Sequence, residues 1–377
     1  MIYKDYHGEA ISRLGMGNMR LPTTGPDRNA PIDYEKAAEI IDYAMKNGIT
    51  YYDTAYVYNG SEVFLGTVLP NYDRASFKLA TKYNSMSSPD YAAIFEEQLE
   101  RLHTDYIDFY LLHAVMNEDS LKSYLDSGAV DYFLEQKAKG RIKNLGFSSH
   151  APVDVLEKMA SHHQWDFAQI QLNYLDWDMQ DAKGQYELLT AKGIPVVVME
   201  PVRGGRLASL SPKAEALLKE AHPDWSIASW AFRWLLRLDN VQVILSGMST
   251  MDQIIDNVAT FNALCPLSDA DAALLDQACQ LFRGEISVPC TGCRYCTDEC
   301  PMEINIPTVM EGYNKYKLDG PMGMHSLTSL TPGPKDCIGC GACQRHCPQG
   351  IQIPDVMSEL AEAIKKMPPM PPRPKDD

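Results

Sequence analysis

Short apolar runs alternate with amphipathic stretches from the N-terminus to about residue 285. Eight runs have the length and the aliphatic or aromatic content of buried strands. They are Ile11–Gly17, Thr50–Thr54, Phe77–Thr81, Tyr106–Leu112, Ile142–Phe147, Phe167–Leu172, Ile194–Met199 and Val241–Leu245. Helix-like stretches lie between them over 33–47, 89–103, 131–140, 152–163, 180–192, 226–238 and 252–264. Strands that alternate with helices of this length predict βαβ units in a parallel sheet.

Eight such units within about 285 residues match the size of a (β/α)8 barrel. A doubly wound sheet is the alternative, and it usually carries a G-x-G-x-x-G turn after its first strand. Here Gly15 and Gly17 are followed by Arg20 where the third glycine would stand. We therefore predict an α/β fold with a TIM barrel over residues 1–284.

The pattern changes beyond Gly284, where cysteine and proline become frequent and periodicity weakens. The segment C-x-G-C-x-x-C-x-x-x-C-P-x-x-I-x-I-P-x-V-M occurs twice, beginning at Cys290 and again at Cys337. We predict a small domain over 285–364, followed by a Pro-rich, extended tail over 365–377.

Each repeat has the cysteine spacing of bacterial proteins that hold two [4Fe–4S] clusters, in which the last cysteine of one run ligates the other cluster. By that rule the first cluster takes Cys290, Cys293, Cys296 and Cys347, and the second takes Cys337, Cys340, Cys343 and Cys300. Structural zinc is the alternative, but a third cysteine at the same short interval suits it poorly. The segment resembles a bacterial two-cluster ferredoxin domain.

The composition restricts the environment of the protein. The N-terminus has no signal-peptide pattern and no apolar run approaches the length of a membrane span, so we expect a cytoplasmic protein. In a reducing compartment, clustered cysteines indicate metal or redox chemistry rather than disulfides. Cys265 and Cys279 lie outside the repeats, and we predict that both are buried as small apolar residues. A net charge of −16 argues against binding to nucleic acid or to an anionic membrane.

Four polar residues lie at or just beyond the ends of consecutive predicted strands, where barrel enzymes place their catalytic groups. They are Asp53, Tyr58, Lys82 and His113. A tyrosine becomes an effective acid when a nearby cation favours its ionised form, and an aspartate can hold that cation in place. Such a set can protonate an oxyanion while hydride reaches carbon, with histidine orienting the carbonyl. Tyr56 competes with Tyr58 as the acid, but the spacing from Asp53 favours Tyr58.

These residues resemble the aldo/keto reductase family. The segment Asp53-Thr-Ala-Tyr-Val-Tyr is similar to its D-T-A-x-x-Y signature, and Lys82 and His113 follow in the family's order. The segments from Gly146 and from Gln169 resemble its G-V-S-N and Q-V-x-Y-N-L-L-D motifs. The resemblance implies a (β/α)8 barrel with Tyr58 as general acid. It also implies that the small-molecule substrate is a carbonyl or an alcohol, since the family's ene-reducing members differ at the position of His113.

The resemblance further implies a nicotinamide cofactor, NADP or NAD. The implied cofactor-binding residues are Ser148, Ser149, Gln169, Met199, Ser246, Gly247 and Asn257. Two positions depart from the family pattern. Met199 stands where a tyrosine usually stacks on the nicotinamide, and Gln253 stands where an arginine often binds the 2′-phosphate.

The two predicted redox groups differ in the number of electrons that they transfer. A nicotinamide transfers a hydride, whereas an iron–sulfur cluster accepts one electron at a time. Three arrangements follow: structural or sensing clusters beside a carbonyl-reducing barrel, a flavin as a further cofactor that links the two, or clusters that serve an external redox partner protein. We predict the first arrangement, an oxidoreductase with an aldo/keto reductase-like site. An electron carrier whose barrel is only a docking scaffold is the non-enzymatic alternative.

Overall fold

A computed structural model describes residues 1–25, 30–85, 87–263, 266–284 and 286–366. The chain divides into two compact units. The first comprises Met1–Arg203, Leu207–Leu210 and Glu215–Asp276, and the second comprises Gly204–Arg206, Ser211–Ala214 and the chain from Gln277 onward. The boundaries predicted from the sequence remain predictions. Most of the predicted tail, from Met367, lies outside the described residues, as does Cys265.

The first unit contains a two-stranded antiparallel hairpin and a closed barrel of eight parallel strands. The hairpin consists of β1 (Tyr3–Tyr6) and β2 (Glu9–Ser12). The barrel strands are β3 (Leu14–Gly17), β4 (Tyr51–Asp53), β5 (Lys78–Tyr83), β6 (Ile107–Val115), β7 (Ile142–Ser149), β8 (Phe167–Gln171), β9 (Val196–Met199) and β10 (Val241–Ser246). They pair in chain order, and β10 closes the barrel against β3. The predicted TIM barrel is confirmed.

The first predicted strand is divided in the structure. Its N-terminal part belongs to β2, and its C-terminal part is β3. Hydrogen bonds between Ser12 and Thr50 hold the chain at the division. The division was not predicted, because the predicted strand continues through it. The hairpin was not predicted, because its turn at His7 and Gly8 precedes that strand.

Helices surround the barrel and pack their apolar sides on it. In the first unit they are α1 (Tyr34–Lys46), α2 (Ser61–Val68), α3 (Tyr91–Arg101), α4 (Glu118–Leu125), α5 (Ala129–Ala138), α6 (Val153–His162), α7 (Asp176–Met179), α8 (Ala182–Ala191), α9 (Pro212–Ala221), α10 (Ile227–Leu235), α11 (Met251–Asn262) and α12 (Asp269–Arg283). Helices α9 and α12 have residues in both units. The seven predicted helices correspond to α1, α3, α5, α6, α8, α10 and α11. Helix α1 illustrates the features that made these helices predictable. Asp33 caps its N-terminus, and one face is buried, formed by Ala37, Ile40, Ile41 and Ala44.

Apolar and aromatic side chains fill the lower half of the barrel. Tyr51, Phe109 and Phe167 come from barrel strands, and Tyr6 and Ile11 of the hairpin pack beneath them. The Tyr6 hydroxyl donates a hydrogen bond to the backbone oxygen of Asp166 at 2.9 Å. The hairpin therefore closes the N-terminal end, and polar residues gather at the opposite end.

The second unit has a small core of its own. Its helices are α13 (Ile306–Asp319), α14 (Ala342–Arg345) and α15 (Ile353–Lys365). The core joins aliphatic residues of α13 and α15 to Cys296 and Cys343. Tyr313 of α13 donates a 2.7 Å hydrogen bond to Glu359 of α15, and Asn314 accepts from the amides of Ser287 and Val288. Cys279, within α12, is buried as predicted. Among the described residues, no helix is both long and apolar enough to cross a membrane.

Candidate active site and cysteine sets

Lys82 and Asp53 form a buried ion pair at the C-terminal ends of β5 and β4. The Lys82 ammonium contacts both carboxylate oxygens of Asp53 at 2.7 Å and donates to the backbone oxygen of Thr54 at 2.6 Å. The lysine has no exposed surface, and Asp53 is 3% exposed. Burial lowers the pKa of Lys82 and raises the pKa of Asp53, whereas the attraction between the two charges opposes both shifts.

Tyr58 lies beside this pair and beside His113. The Lys82 nitrogen is 5.0 Å from the centre of the Tyr58 ring. The rings of Tyr58 and His113 meet edge to face with their centres 5.7 Å apart. Tyr56 faces elsewhere, because its hydroxyl donates to Glu97 at 2.9 Å and its ring contacts Arg101. The structure thus brings all four predicted catalytic residues together and engages Tyr56 outside the group.

His113 is positioned by an irregularity in β6. The register between β6 and β7 shifts after Leu112, and Ala114 has a left-handed backbone with φ of 62°. The Ala114 amide donates to the Ser148 hydroxyl oxygen at 2.8 Å, and the Tyr124 hydroxyl donates to the His113 backbone oxygen. Such irregularities re-aim side chains beside active sites. Burial, aided by the charge of Lys82, holds the pKa of His113 well below its usual value, so the imidazole is neutral.

The residues predicted to border a nicotinamide lie on neighbouring strands. The Gln169 amide nitrogen on β8 is 3.6 Å from the Met199 sulfur on β9, and the Gln169 amide oxygen is buried without a hydrogen-bond partner. Ser149 has structural partners instead: its hydroxyl donates to Val115 and accepts from the Ala151 amide. The available acceptor in this group is therefore the Gln169 oxygen.

The predicted adenosine-side residues meet where β10 leads into α11. The Asn257 amide donates to the Ser246 hydroxyl at 3.0 Å, and Gly247 follows directly. Gln253 caps the helix: its side-chain oxygen accepts from the amides of Ser249 and Thr250 at 2.7 and 3.3 Å. Residues 246–257 contain no lysine or arginine and two aspartates.

The cysteines of the second unit form two neighbourhoods. Burial raises the pKa of the Cys296 thiol, with further contributions from Cys293, Cys347 and Cys290. Burial also raises the pKa of Cys343, with contributions from Cys337, Cys300 and Cys340. In each neighbourhood the first three cysteines of one run are joined by the last cysteine of the other run.

A cavity marks the second neighbourhood. Cys300, Cys337, Cys340 and Cys343 line it together with apolar side chains that include Met302 and Ile304. Gly339 and Gly341 turn the chain there with left-handed φ of 69° and 72°, a conformation that favours glycine. Four thiols around an apolar cavity suit an iron–sulfur cube, whose ligands are thiolates.

Two family models match the chain. Residues 13–280 match the aldo/keto reductase family. The chain belongs to the aldo/keto reductase family. Residues 289–351 match a 4Fe-4S dicluster domain. The protein is thus an aldo/keto reductase family oxidoreductase that carries a C-terminal 4Fe-4S domain.

Relatives of this reductase occur in plants and bacteria. A probable aldo-keto reductase 1 of Glycine max is 29% identical over 211 residues, which are 52% of this chain and 58% of the relative. An NADH-specific methylglyoxal reductase of Escherichia coli is 26% identical, over 70% of this chain and 94% of the relative. The chain thus spans less than two thirds of the plant relative.

A solved structure shares the barrel. The holo form of an aldo-keto reductase from Bacillus halodurans superposes with a TM-score of 0.59 at 28% identity, over 74% of this chain and 96% of that one.

The reductase site also contains polar residues that the sequence did not reveal. Asn18, directly after β3, donates to the backbone oxygens of Asp53 and Met16 at 2.9 and 3.1 Å. Its side-chain oxygen is buried without a hydrogen-bond partner. The sequence signal that could have identified Asn18 is its position directly after a barrel strand, next to Gly17. Catalytic groups of barrel enzymes lie at that end of the strands.

A buried network lies behind Lys82. Glu62 accepts from Thr81 at 2.6 Å and from Gln98 at 2.7 Å, and Gln98 also donates to the Lys82 backbone oxygen at 3.1 Å. This network fixes the strand that carries the lysine. Gln98 gave no signal in the sequence because it lies within a helix, on the side that faces the barrel.

Proposed function

We propose that the barrel reduces a small-molecule carbonyl, or oxidises the corresponding alcohol, with Tyr58 as the general acid. The observation that carries this proposal is the ion pair of Lys82 and Asp53, buried 5.0 Å from the Tyr58 ring. A cation held there favours the ionised form of the tyrosine and therefore makes its hydroxyl a better proton donor. Neutral His113, beside the same ring, orients the carbonyl oxygen.

A nicotinamide fits the barrel mouth. The buried side-chain oxygens of Gln169 and Asn18 are acceptors for a carboxamide, and Met199 offers an apolar surface for a ring. We assign Ser148, Gln169 and Met199 to the nicotinamide end, and Ser246, Gly247 and Asn257 to the adenosine end. A nicotinamide held there would supply the hydride for reduction of the carbonyl. Tyr58 supplies the proton to the carbonyl oxygen.

We further propose a preference for NADH over NADPH. A 2′-phosphate is usually bound by a cation, and residues 246–257 contain none. Gln253 stands at the position in question and already caps α11. The relative from Escherichia coli is named as NADH-specific. Its substrate, methylglyoxal, is a small carbonyl compound of the proposed class.

A tyrosine pair provides the test of the acid. Tyr58→Phe removes the proposed proton donor, and we expect kcat for a reducible aldehyde to fall by about 100- to 10,000-fold. Tyr56→Phe removes a hydroxyl two residues away that is bonded to Glu97, and kcat should stay within about threefold. Equal activity of the two variants would overturn the assignment of Tyr58. Nicotinamide binding, measured by fluorescence, should be unaffected in both.

We also propose two [4Fe–4S] clusters with crossed ligands, as the two cysteine neighbourhoods suggest. Two double variants distinguish this arrangement from one in which each run of four cysteines binds its own cluster. In the crossed arrangement, Cys296→Ala with Cys347→Ala damages one cluster, so anaerobically purified protein should keep about four of about eight irons. Cys343→Ala with Cys347→Ala damages both, and little iron should remain. The reverse order of iron contents would overturn the crossed assignment, and flavin extraction from the wild-type protein tests the flavin-linked alternative.

A further inference from the structure

A second buried ion pair lies at the barrel mouth. The Arg203 Nε atom contacts the Asp176 carboxylate oxygens at 2.9 and 3.1 Å. Asp176 has no exposed surface and Arg203 is 1% exposed. Buried ion pairs give little net stability, because the loss of hydration of both charges offsets their attraction. We therefore look for the role of this pair in the positions of the segments that it joins, rather than in stability.

The Asp176 carboxylate accepts hydrogen bonds from side chains at the end of β8 and just after it. Gln171 and Asn173 each donate a side-chain hydrogen bond to it at 2.7 Å. The Asn173 oxygen in turn accepts from the amides of Leu175 and Asp176 at 3.1 and 2.8 Å. The chain after β8 is thus fixed around one carboxylate.

The same carboxylate holds the loop that follows β9. In that loop Glu200 and Arg203 have left-handed backbones, with φ of 53° and 49°. Residues with a Cβ atom adopt this conformation only where their surroundings impose it. Two contacts do so here: Asn173 donates to the Glu200 backbone oxygen at 3.1 Å, and Arg203 is held by Asp176.

Met199 directly precedes this loop and contacts Gln169 on β8. We propose that Asp176 and Arg203 are positioning residues that set Met199 and Gln169 for the nicotinamide, an inference that rests on the proposed function. The pair fastens the chain after β8 to the loop after β9, four residues beyond Met199 and seven residues beyond Gln169. Asn173, which Asp176 holds, contacts Glu200 directly after Met199. The contacts described above join the chain after β8 to the loop after β9.

The test compares nicotinamide affinity with turnover in the full-length protein. Arg203→Met should raise the Kd and KM for NADH by about tenfold, because a small displacement of a binding group is costly. The KM for the carbonyl at saturating NADH and the kcat should stay within about threefold. Arg203→Lys keeps the charge, and NADH affinity should be partly restored. A purely structural role would not separate NADH affinity from kcat.

Controls keep this test decisive. Arg141→Gln breaks a two-contact ion pair with Glu96 that is more exposed, and NADH affinity should not change. Asp176→Leu with Arg203→Met leaves no unpaired charge and replaces Arg203→Met if that variant does not fold. A folded variant whose Kd for NADH is within twofold of the wild-type value would overturn the positioning role. Absence of NADH binding by the wild-type protein would instead overturn the proposed function.

Discussion

The barrel and the iron–sulfur unit hold their functional side chains in different ways. In the barrel, Lys82 and His113 lie on strands, and the contacts of Lys82 with Asp53 come from the protein itself. In the second unit, most of the cysteines lie on irregular chain, where left-handed glycines such as Gly339 set the turns. The barrel site is thus organised by its scaffold, whereas we expect the cysteine loops to depend on the groups that they bind.

Removal of the clusters should have the largest effect of those we predict. Ligands gathered on irregular chain are organised by the metal, so cluster binding contributes directly to folding. After anaerobic iron chelation, the backbone amides of 290–300 and 337–347 should exchange with solvent by the first time point of a hydrogen-exchange experiment. Those of the barrel strands should exchange as before. Protected cysteine loops in the iron-free protein would contradict the comparison.

Lys82→Met tests the barrel side of the comparison. Loss of the cation leaves the Tyr58 hydroxyl a poor acid, so kcat for carbonyl reduction should fall by about 100- to 10,000-fold. The iron content should not change. Lys78→Met provides the matched control, because Lys78 lies at the other end of the same strand and pairs with Glu9. If both variants lose activity equally, strand β5 matters only for folding.

Acid should weaken the barrel through the partly buried imidazole of His150. Burial lowers the pKa of His150 to about 4, below the value of about 6.5 expected in the unfolded chain. This contribution to stability is complete above pH 6.5 and is lost as the pH falls toward 4, because only the unfolded chain binds the proton. The free energy of unfolding should drop by about 2 kcal/mol between pH 6.5 and 5 from this residue.

The variant His150→Gln should remove that part of the pH dependence, and replacement of the exposed His162 should not. Urea unfolding followed by tryptophan fluorescence measures the free energy of unfolding of the barrel at each pH. All five tryptophans report on the barrel, because they lie in the segment from Trp165 to Trp234. An unchanged slope in His150→Gln would show that other groups cause the acid sensitivity.

The smallest effect concerns the adenosine end of the barrel site. Gln253→Arg adds a cation at the start of α11, and we expect kcat/KM for NADPH to rise by about tenfold relative to NADH. Gln253→Lys provides a comparison with a less directional cation. An unchanged ratio of kcat/KM in both variants would place the 2′-position elsewhere in the barrel mouth.

The sequence predicted the parts of the molecule that depend on local pattern. The eight barrel strands have apolar runs, and motifs identified Asp53, Tyr58, Lys82 and His113 as one group. The cysteine spacing predicted the 4Fe-4S domain in the same way. Each signal lies within a few residues of the side chains that it concerns.

Features that depend on distant contacts could not be predicted. The partner of Arg203 lies 27 residues earlier, and neither residue stands out in its segment. The left-handed Ala114 and the shift beside it follow from contacts with Ser148 and Tyr124 on other elements. The division of the first apolar run is likewise set by Thr50. Such features are properties of the folded barrel rather than of any one segment.

The hairpin beneath the barrel has a consequence for the supply of protons. Tyr6 and Ile11 pack under Tyr51, Phe109 and Phe167, so aromatic rings occupy the interior below Lys82. Phe109 and Phe167 carry no exchangeable proton, and the Tyr6 hydroxyl donates to the backbone oxygen of Asp166. In the proposed reaction, we therefore expect each proton that Tyr58 gives up to be replaced from the mouth of the barrel. The opening that admits substrate is thus also the route by which Tyr58 is reprotonated between turnovers.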